Sequence, residues 1–240
     1  MPAVPHDSID RAEVLGRLGQ HAILRPLDRP ALEGLLAYAQ VKPLRARGRL
    51  FAAGDAGSAL YLVLSGWVKL TRAGPNGRDI VLDLAGPGSL FGELAVLCGL
   101  PRAADAVALS TTRVLAIDGR AVIAALRAHQ DALLAIVRLL GERLARTTAQ
   151  MEDTLFLPAE PRLARALLRL AALDPRPAKN GLVIDLGLSQ SDLGELTGLA
   201  RESINKLLAT WRDQRWISLA DRTLTLIDLP ALRSLADMEG

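Results

Sequence analysis

The chain has 240 residues, enough for two domains, and half of them are hydrophobic while only 3% are aromatic, so the cores must be leucine, alanine and valine. Arg127 and Arg138 interrupt the longest apolar runs well short of the ~20 residues a membrane helix needs, and the start MPAVPHDSID has neither the basic nor the apolar region of an export signal, so a cytoplasmic protein without membrane contact is expected. A net charge of +3 is weak evidence for any partner, and residues 155–240 carry 11 Lys/Arg against 11 Asp/Glu, so a nucleic-acid function must be argued from where the charges sit.

In chain order, Ile9 to Leu18 has helical spacing, with Ile9, Val14, Leu15 and Leu18 apolar, and forms an N-terminal arm. Pro30 opens a second helix with Leu32, Leu35, Leu36 and Ala39 on one face. From Val41 to Ile117 the pattern changes to short alternating runs separated by glycine. Leu60–Leu64 is predicted as a strand, Ser65-Gly66 as a turn, and Trp67–Leu70 as its antiparallel return. Pro75-Asn76-Gly77 is a second hairpin signal, leading into a strand at Ile80–Leu84. Further strands are predicted at Val107–Leu109 and Arg113–Ile117. Short strands at this spacing imply a small antiparallel roll or barrel.

Inside that segment lies FGELAVLCGLPRAADAV, Phe91 to Val107. Glu93–Leu97 can form only a short helix before Gly99 and Pro101 stop it, and a helix start led by Gly92 offers free backbone N–H groups to an anion. The Arg102 guanidinium suits phosphate, and Glu93 is left to accept from a neutral group such as a ribose hydroxyl. Phe91, Gly92, Glu93, Leu94, Ala95, Pro101 and Arg102 resemble the phosphate-binding cassette of cyclic-nucleotide-binding domains, which implies a jelly-roll-like β-roll around them. Ala103 departs from the serine of the cyclic AMP receptor protein and resembles the Arg-Ala form of kinase-type cyclic AMP domains. The single cysteine, Cys98, excludes an internal disulfide and a four-cysteine iron–sulfur cluster, and is expected to be a buried, inert thiol. His6, His21 and His129 lack metal-ligand spacing, so no metal is expected and surface or capping roles are assigned to all three.

After Asp118 the pattern is helical, and Asp131 to Phe156 reads as one long helix. Leu133, Val137, Leu140, Leu144, Thr147, Met151 and Thr154 alternate steps of four and three, an a/d seam that predicts a two-stranded coiled coil and a homodimer. Thr147 and Thr148 interrupt the apolar seam. Leu157-Pro158-Ala159-Glu160-Pro161 is the expected hinge, followed by a helix from Arg162 to Leu173, a Pro-rich loop and a short strand at Val183–Leu186. Ser189 caps the next helix with Asp192 in the capping-box position. A turn through Gly198 then leads into Arg201–Arg212, the helix-turn-helix arrangement, and Ile217–Leu219 with Leu224–Leu226 form a β-wing across Ala220-Asp221-Arg222-Thr223.

The second of these helices turns Ile204, Leu207 and Leu208 inward and Arg201, Glu202, Asn205 and Lys206 outward. Its RE-[ST]-[VI]-x-[KR]-x-L pattern resembles the cyclic AMP receptor protein/FNR family of bacterial transcription regulators, a resemblance that runs from about Leu32 to Leu226. It implies an α+β protein with a cyclic-nucleotide-binding sensor and arm at 1–130, a dimerisation helix and hinge at 131–157, and a winged helix-turn-helix at 158–240. By the same resemblance, cyclic AMP is the effector and is held by Gly92, Glu93, Leu94, Arg102, Ala103, Thr147 and Thr148. Inverted-repeat DNA with TGTGA-like half-sites is held by Ser189, Gln190, Ala200, Arg201, Glu202, Ser203 and Lys206, and RNA polymerase is a further partner. Two alternatives stand beside this one. The first is a regulator of the same fold with a vestigial cassette, constitutive or tuned to another effector. The second is a kinase-type regulatory subunit without DNA function. An enzyme is not expected, because no second acid, base or metal cluster accompanies Glu93.

Overall fold

The computed structural model describes residues 11–21, 24–74, 77, 79–220 and 223–238. Ile9, His6, Pro75-Asn76 and Asp221-Arg222, which figure in the sequence reading, lie outside them. Helix α1 (Arg11–Gln20) buries Val14 and Leu18, and α2 (Arg29–Ala37) buries Leu32 and Leu35 beside it. Asp28 caps α2 by accepting from Ala31 N at 2.9 Å, with Pro30 in the first turn, where its missing N–H costs nothing.

Eight strands follow: β1 (Ala39–Leu44), β2 (Arg49–Phe51), β3 (Ala59–Ser65), β4 (Val68–Ala73), β5 (Asp79–Ala85), β6 (Leu90–Phe91), β7 (Asp105–Ala108) and β8 (Thr112–Asp118). They form two antiparallel four-stranded sheets, in the orders β1-β8-β3-β6 and β2-β7-β4-β5. The predicted hairpin across Ser65-Gly66 is therefore corrected. β3 pairs with β8 and β6, whereas β4 pairs with β5 and β7, so the turn carries the chain from one sheet into the other. A two-residue turn signal marks where the chain reverses but not which sheet receives it. β3 is buried on both faces, hence its unbroken apolar run. Leu60, Leu62 and Leu64 face the helices, while Tyr61 and Val63 fill the space between the sheets with Val68, Phe91 and Ala106.

The short helix α3 (Glu93–Cys98) interrupts the roll, and α4 (Gly119–Ala128) closes it. Cys98 is exposed, contrary to expectation: it is the last residue of α3, beyond buried Ala95 and Val96. Helix α5 (Gln130–Phe156) runs unbroken for 27 residues and buries only Ala132, Ile136 and Asp153. The hinge is shorter than predicted, because α6 (Ala159–Leu173) takes Pro161 into its first turn and only Leu157-Pro158 separate the two helices. Arg162 of α6 donates to Leu157 O at 2.6 Å, and Arg165 and Arg169 both reach buried Asp153.

The remaining elements are β9 (Arg176–Ala178), β10 (Gly181–Ile184), α7 (Gln190–Thr197), α8 (Arg201–Asp213), β11 (Ile217–Ala220), β12 (Thr223–Leu226) and α9 (Leu229–Ala236). The four strands order as β11-β12-β10-β9. The predicted Pro-rich loop in fact contributes β9, and α9, which has no counterpart in the sequence reading, packs on α6 through Leu232 and Ala236. One apolar cluster joins the two halves of the molecule, since Trp67, Val81, Leu84 and Leu109 of the roll meet Leu163, Leu193 and Trp211 of the C-terminal unit. No helix among the described residues is long and apolar enough to cross a membrane.

Candidate ligand pocket and DNA-reading unit

Gly92 takes the left-handed conformation (φ 84°) as the N-cap of α3, and a Cβ there would stand 2.5 Å from Arg102 Nη1. Gly57 is also constrained, because a Cβ would meet Ala95 Cβ at 2.4 Å and Arg102 Cζ at 2.8 Å. Both glycines thus make room for one guanidinium. Arg102 is 4% exposed and donates from Nη1 to Gly92 O at 3.0 Å and from Nη2 to Ala59 O at 2.8 Å. Its guanidinium lies over the Phe51 ring at 4.4 Å and the Tyr61 ring at 5.2 Å, and burial pulls its pKa below the ordinary arginine value. Its Nε has no hydrogen-bond partner.

Glu93 is 3% exposed. Its Oε1 accepts from Arg143 Nη1 at 2.5 Å, while its Oε2 is buried without a partner. Arg143 belongs to α5 and also donates to Leu90 O at 3.2 Å. Its Nε lies 3.0 Å from Asp83 Oδ2 but is not aligned for a hydrogen bond. The long helix is therefore tied directly to the cassette. Gly92, Glu93, Leu94, Arg102 and Ala103 line one hollow with Phe51, Leu70 and Arg143. Two unpartnered polar atoms on opposite-charge residues of that hollow are a donor and an acceptor suited to a phosphate and a hydroxyl. The hollow measures about 60 Å³, against the roughly 300–1,000 Å³ usual for pockets that enclose a drug-sized ligand.

Thr147 and Thr148 are exposed and stand outside this hollow. Thr147 Oγ1 donates back to Arg143 O at 3.0 Å and borders a separate crevice with Asp83, Arg146 and Gln150. Arg143, not these hydroxyls, is what α5 brings to the cassette within one chain. It precedes Thr147 by one helical turn on the same face, the signal from which it could have been singled out. Of the two described histidines, His21 departs from its assigned surface or capping role, whereas His129 occupies a cap position. His21 is half-buried, and burial lowers its pKa to about 4. His129 sits at the N-cap of α5 without a side-chain capping bond, its Nε2 4.0 Å from Asp28.

In the C-terminal unit, Ser189 and Asp192 close the capping box: Ser189 Oγ accepts from Asp192 N at 3.2 Å, and Asp192 Oδ2 accepts from Ser189 N at 2.7 Å. Gln190 begins α7, and Gly198 (φ 69°) ends it. Ala200 is the N-cap of α8 with no side-chain bond. Arg201, Glu202, Asn205 and Lys206 are exposed on one face, Ser203 is half-buried, and Ile204, Leu208 and Trp211 anchor the other face.

Residues 41–129 match the model of the cyclic nucleotide-binding domain, and residues 161–235 match that of the Crp-like helix-turn-helix domain. Over 216 residues the chain is 30% identical to a CRP-like cAMP-activated global transcriptional regulator of Mycobacterium tuberculosis, covering 90% of this chain and 95% of that protein. The chain belongs to the Crp/Fnr family of transcription regulators. A second Crp/Fnr relative, the cyclic AMP receptor protein of Thermus thermophilus, is 32% identical over 83% of this chain and 86% of its own. A crystal structure of a CRP-family regulator from the same organism superimposes with a TM-score of 0.70 at 28% identity, covering 82% of this chain and 97% of that one. As in these Crp/Fnr regulators, a cyclic-nucleotide-binding β domain, a long helix and a C-terminal helix-turn-helix follow one another along the chain.

Proposed function

We propose that this Crp/Fnr chain is a homodimeric transcription regulator whose affinity for DNA is set by cyclic AMP, acting in the cytoplasm together with RNA polymerase. The observation that carries the effector assignment is the pair of buried, unpartnered atoms, Glu93 Oε2 and Arg102 Nε, on one hollow behind Gly92. Arg102 takes the phosphate, Glu93 the ribose hydroxyl, and Leu94 and Ala103 complete the wall. Cyclic AMP rather than another nucleotide is supported by the relatives described as cAMP-activated. Thr147 and Thr148 reach the base only in a dimer, from the partner's long helix. The dimer is supported by the α5 seam, where Leu133, Val137, Leu144 and Met151 are 44–68% exposed.

Entry of the nucleotide requires the hollow to widen, so Arg102 must leave Gly92 O and Arg143 must yield part of Glu93. That ties ligand binding to the position of α5 and the hinge. The recognition residues are Arg201, Glu202 and Lys206, with Ser189, Gln190, Ala200 and Ser203 on the phosphates around them.

One observation favours a second Crp/Fnr reading, a regulator with a disused cassette: Arg102 is already bonded to two backbone carbonyls, and the hollow is small. Titration calorimetry of the purified protein with cyclic AMP and cyclic GMP separates the two. Heat of one-to-one binding per chain for cyclic AMP is expected, and silence with both nucleotides, alongside operator binding, establishes the second reading.

A further inference from the structure

One ionic cluster lies outside both sites and joins them. Arg47, in the turn between β1 and β2, and Lys69, on β4, belong to the β-roll, and both are bound to the first helix of the DNA-reading unit. Arg47 holds Asp192 with Nη1 at 3.0 Å and Nη2 at 2.9 Å. Lys69 Nζ bonds Asp192 Oδ1 and Glu195 Oε2, each at 2.7 Å. Lys69 is 8% exposed and Asp192 1%. With the backbone and hydroxyl of Ser189, the two oxygens of Asp192 receive five donors.

A carboxylate that only caps a helix needs one or two of those donors and sits at the surface. Burying a lysine between two carboxylates adds little net stability, because desolvation offsets the attraction, yet the pairing fixes geometry far more narrowly than apolar contact does. Among the described residues, the contact between the halves around this clamp is otherwise apolar or open. Trp67, Val81, Leu84 and Leu109 supply the apolar part, and a hollow of about 570 Å³ separates Asp79 and Ile80 from Arg201 and Glu202. Both cations are also fastened to β7, which starts three residues after Arg102. Lys69 is the register partner of Val107, and Arg47 N donates to Ala108 O at 2.7 Å. The clamped arrangement leaves Arg201, Glu202, Asn205 and Lys206 exposed.

We propose that Lys69 and Arg47 are positioning residues: by clamping Asp192 and Glu195 they hold the helix-turn-helix in its reading orientation, and β7 carries displacement at the cassette to that clamp. This rests on the reading of the chain as a cyclic-AMP-dependent DNA-binding regulator. The test uses the full-length protein and an operator duplex selected from a random pool, titrated with and without cyclic AMP. Lys69→Met should lower the affinity of the cyclic-AMP-loaded protein at least tenfold, towards that of the unloaded protein, while calorimetric affinity for cyclic AMP stays within threefold. Lys69→Arg should restore coupling, and Glu195→Gln, at a partly exposed position, should give a partial loss. Operator affinity and cyclic AMP dependence equal to wild type in Lys69→Met overturn the proposal. If Lys69→Met fails to fold, an unchanged coupling ratio in Glu195→Gln does the same. Should the wild type show no response to cyclic AMP, the functional reading fails instead, and the clamp is judged by hydrogen exchange. Faster exchange of the Gln190–Thr197 amides in Glu195→Gln supports it, and unchanged protection overturns it.

Discussion

In the proposed cyclic AMP complex, Arg102 exchanges its bonds to Gly92 O and Ala59 O for a phosphate, so its two roles can be separated by substitution. Hydrogen bonds to a charged group contribute about 1.5–3 kcal/mol each, and Arg102→Ala forfeits both the backbone bonds and the ligand. The expected result is at least a tenfold loss of cyclic AMP affinity together with a lower melting temperature. Arg102→Lys keeps the charge without the fork, and should recover stability before affinity. Calorimetry showing wild-type affinity in either variant would remove Arg102 from the site. Acid titration probes two other residues. His21 is held neutral by burial, with a pKa near 4. Because the unfolded histidine protonates near ~6.5, stability should decline as pH falls from 6.5 towards 4, by something on the order of 2 kcal/mol after solvent screening. For Asp192, burial acts to raise the pKa, but hydrogen bonds from Arg47, Lys69 and Ser189 outweigh it and hold the carboxyl well below the usual range. Its contribution is present above the ordinary carboxylate value of about 4 and is lost as pH falls below it. Thermal melts between pH 7 and 3 should show both declines, and His21→Gln should flatten the upper one alone.

At the scale of elements, α5 is the clearest case of sequence carrying structure. Its a/d spacing predicts the helix within one residue, and of the seam residues Leu133, Val137, Leu144, Thr147, Met151 and Thr154 are exposed, whereas Leu140 is half-buried against the N-terminal core. Leu140→Asp with Leu144→Asp should yield monomers by light scattering and abolish high-affinity operator binding, since in the proposed homodimer each seam position meets its counterpart across a two-fold axis. A dimer that persists at the same concentration would place the interface elsewhere. Other elements show where periodicity stops informing. The Ser65-Gly66 turn was readable, but the destination of β4 was not, because strand partners in a roll are chosen by long-range closure rather than by the turn. The start of α9 did carry a local signal, Asp228 as N-cap with Pro230 in the first turn. The cassette was readable because Gly92, Glu93 and Arg102 sit within one short segment. Lys69, Arg47 and Asp192 were not, since their meeting spans more than a hundred residues and depends on how two domains dock.

At the scale of the whole molecule, two requirements meet on the DNA. In the homodimer proposed above, a two-fold axis demands an inverted repeat, with half-sites about one helical turn, ~34 Å, apart. Within each half-site the exposed start of α8 places Arg201 and Glu202 first, where a guanidinium can take guanine O6 and N7 and a carboxylate can accept from cytosine N4. By the family resemblance, a half-site close to TGTGA is expected from selection out of a random pool. Lys206 keeps a positive charge at the third reading position but lacks the bidentate fork, so preference there should be looser than at the guanine read by Arg201. Arg201→Ala should cost ~1–3 kcal/mol per half-site and flatten that guanine preference. The helix start at Ser189 would still meet phosphates, so residual binding should persist on any sequence and weaken steeply with salt. Cyclic AMP adds a third condition. To turn such a dimer almost fully on from almost fully off, it must favour the reading state by ~5.5 kcal/mol. In the proposed homodimer, two pockets tied to two α5 helices through Arg143 would share that demand, so each site would supply only about half of it. Recovery of no palindrome, or of the same guanine preference from Arg201→Ala as from the unaltered protein, would refute this mode of readout.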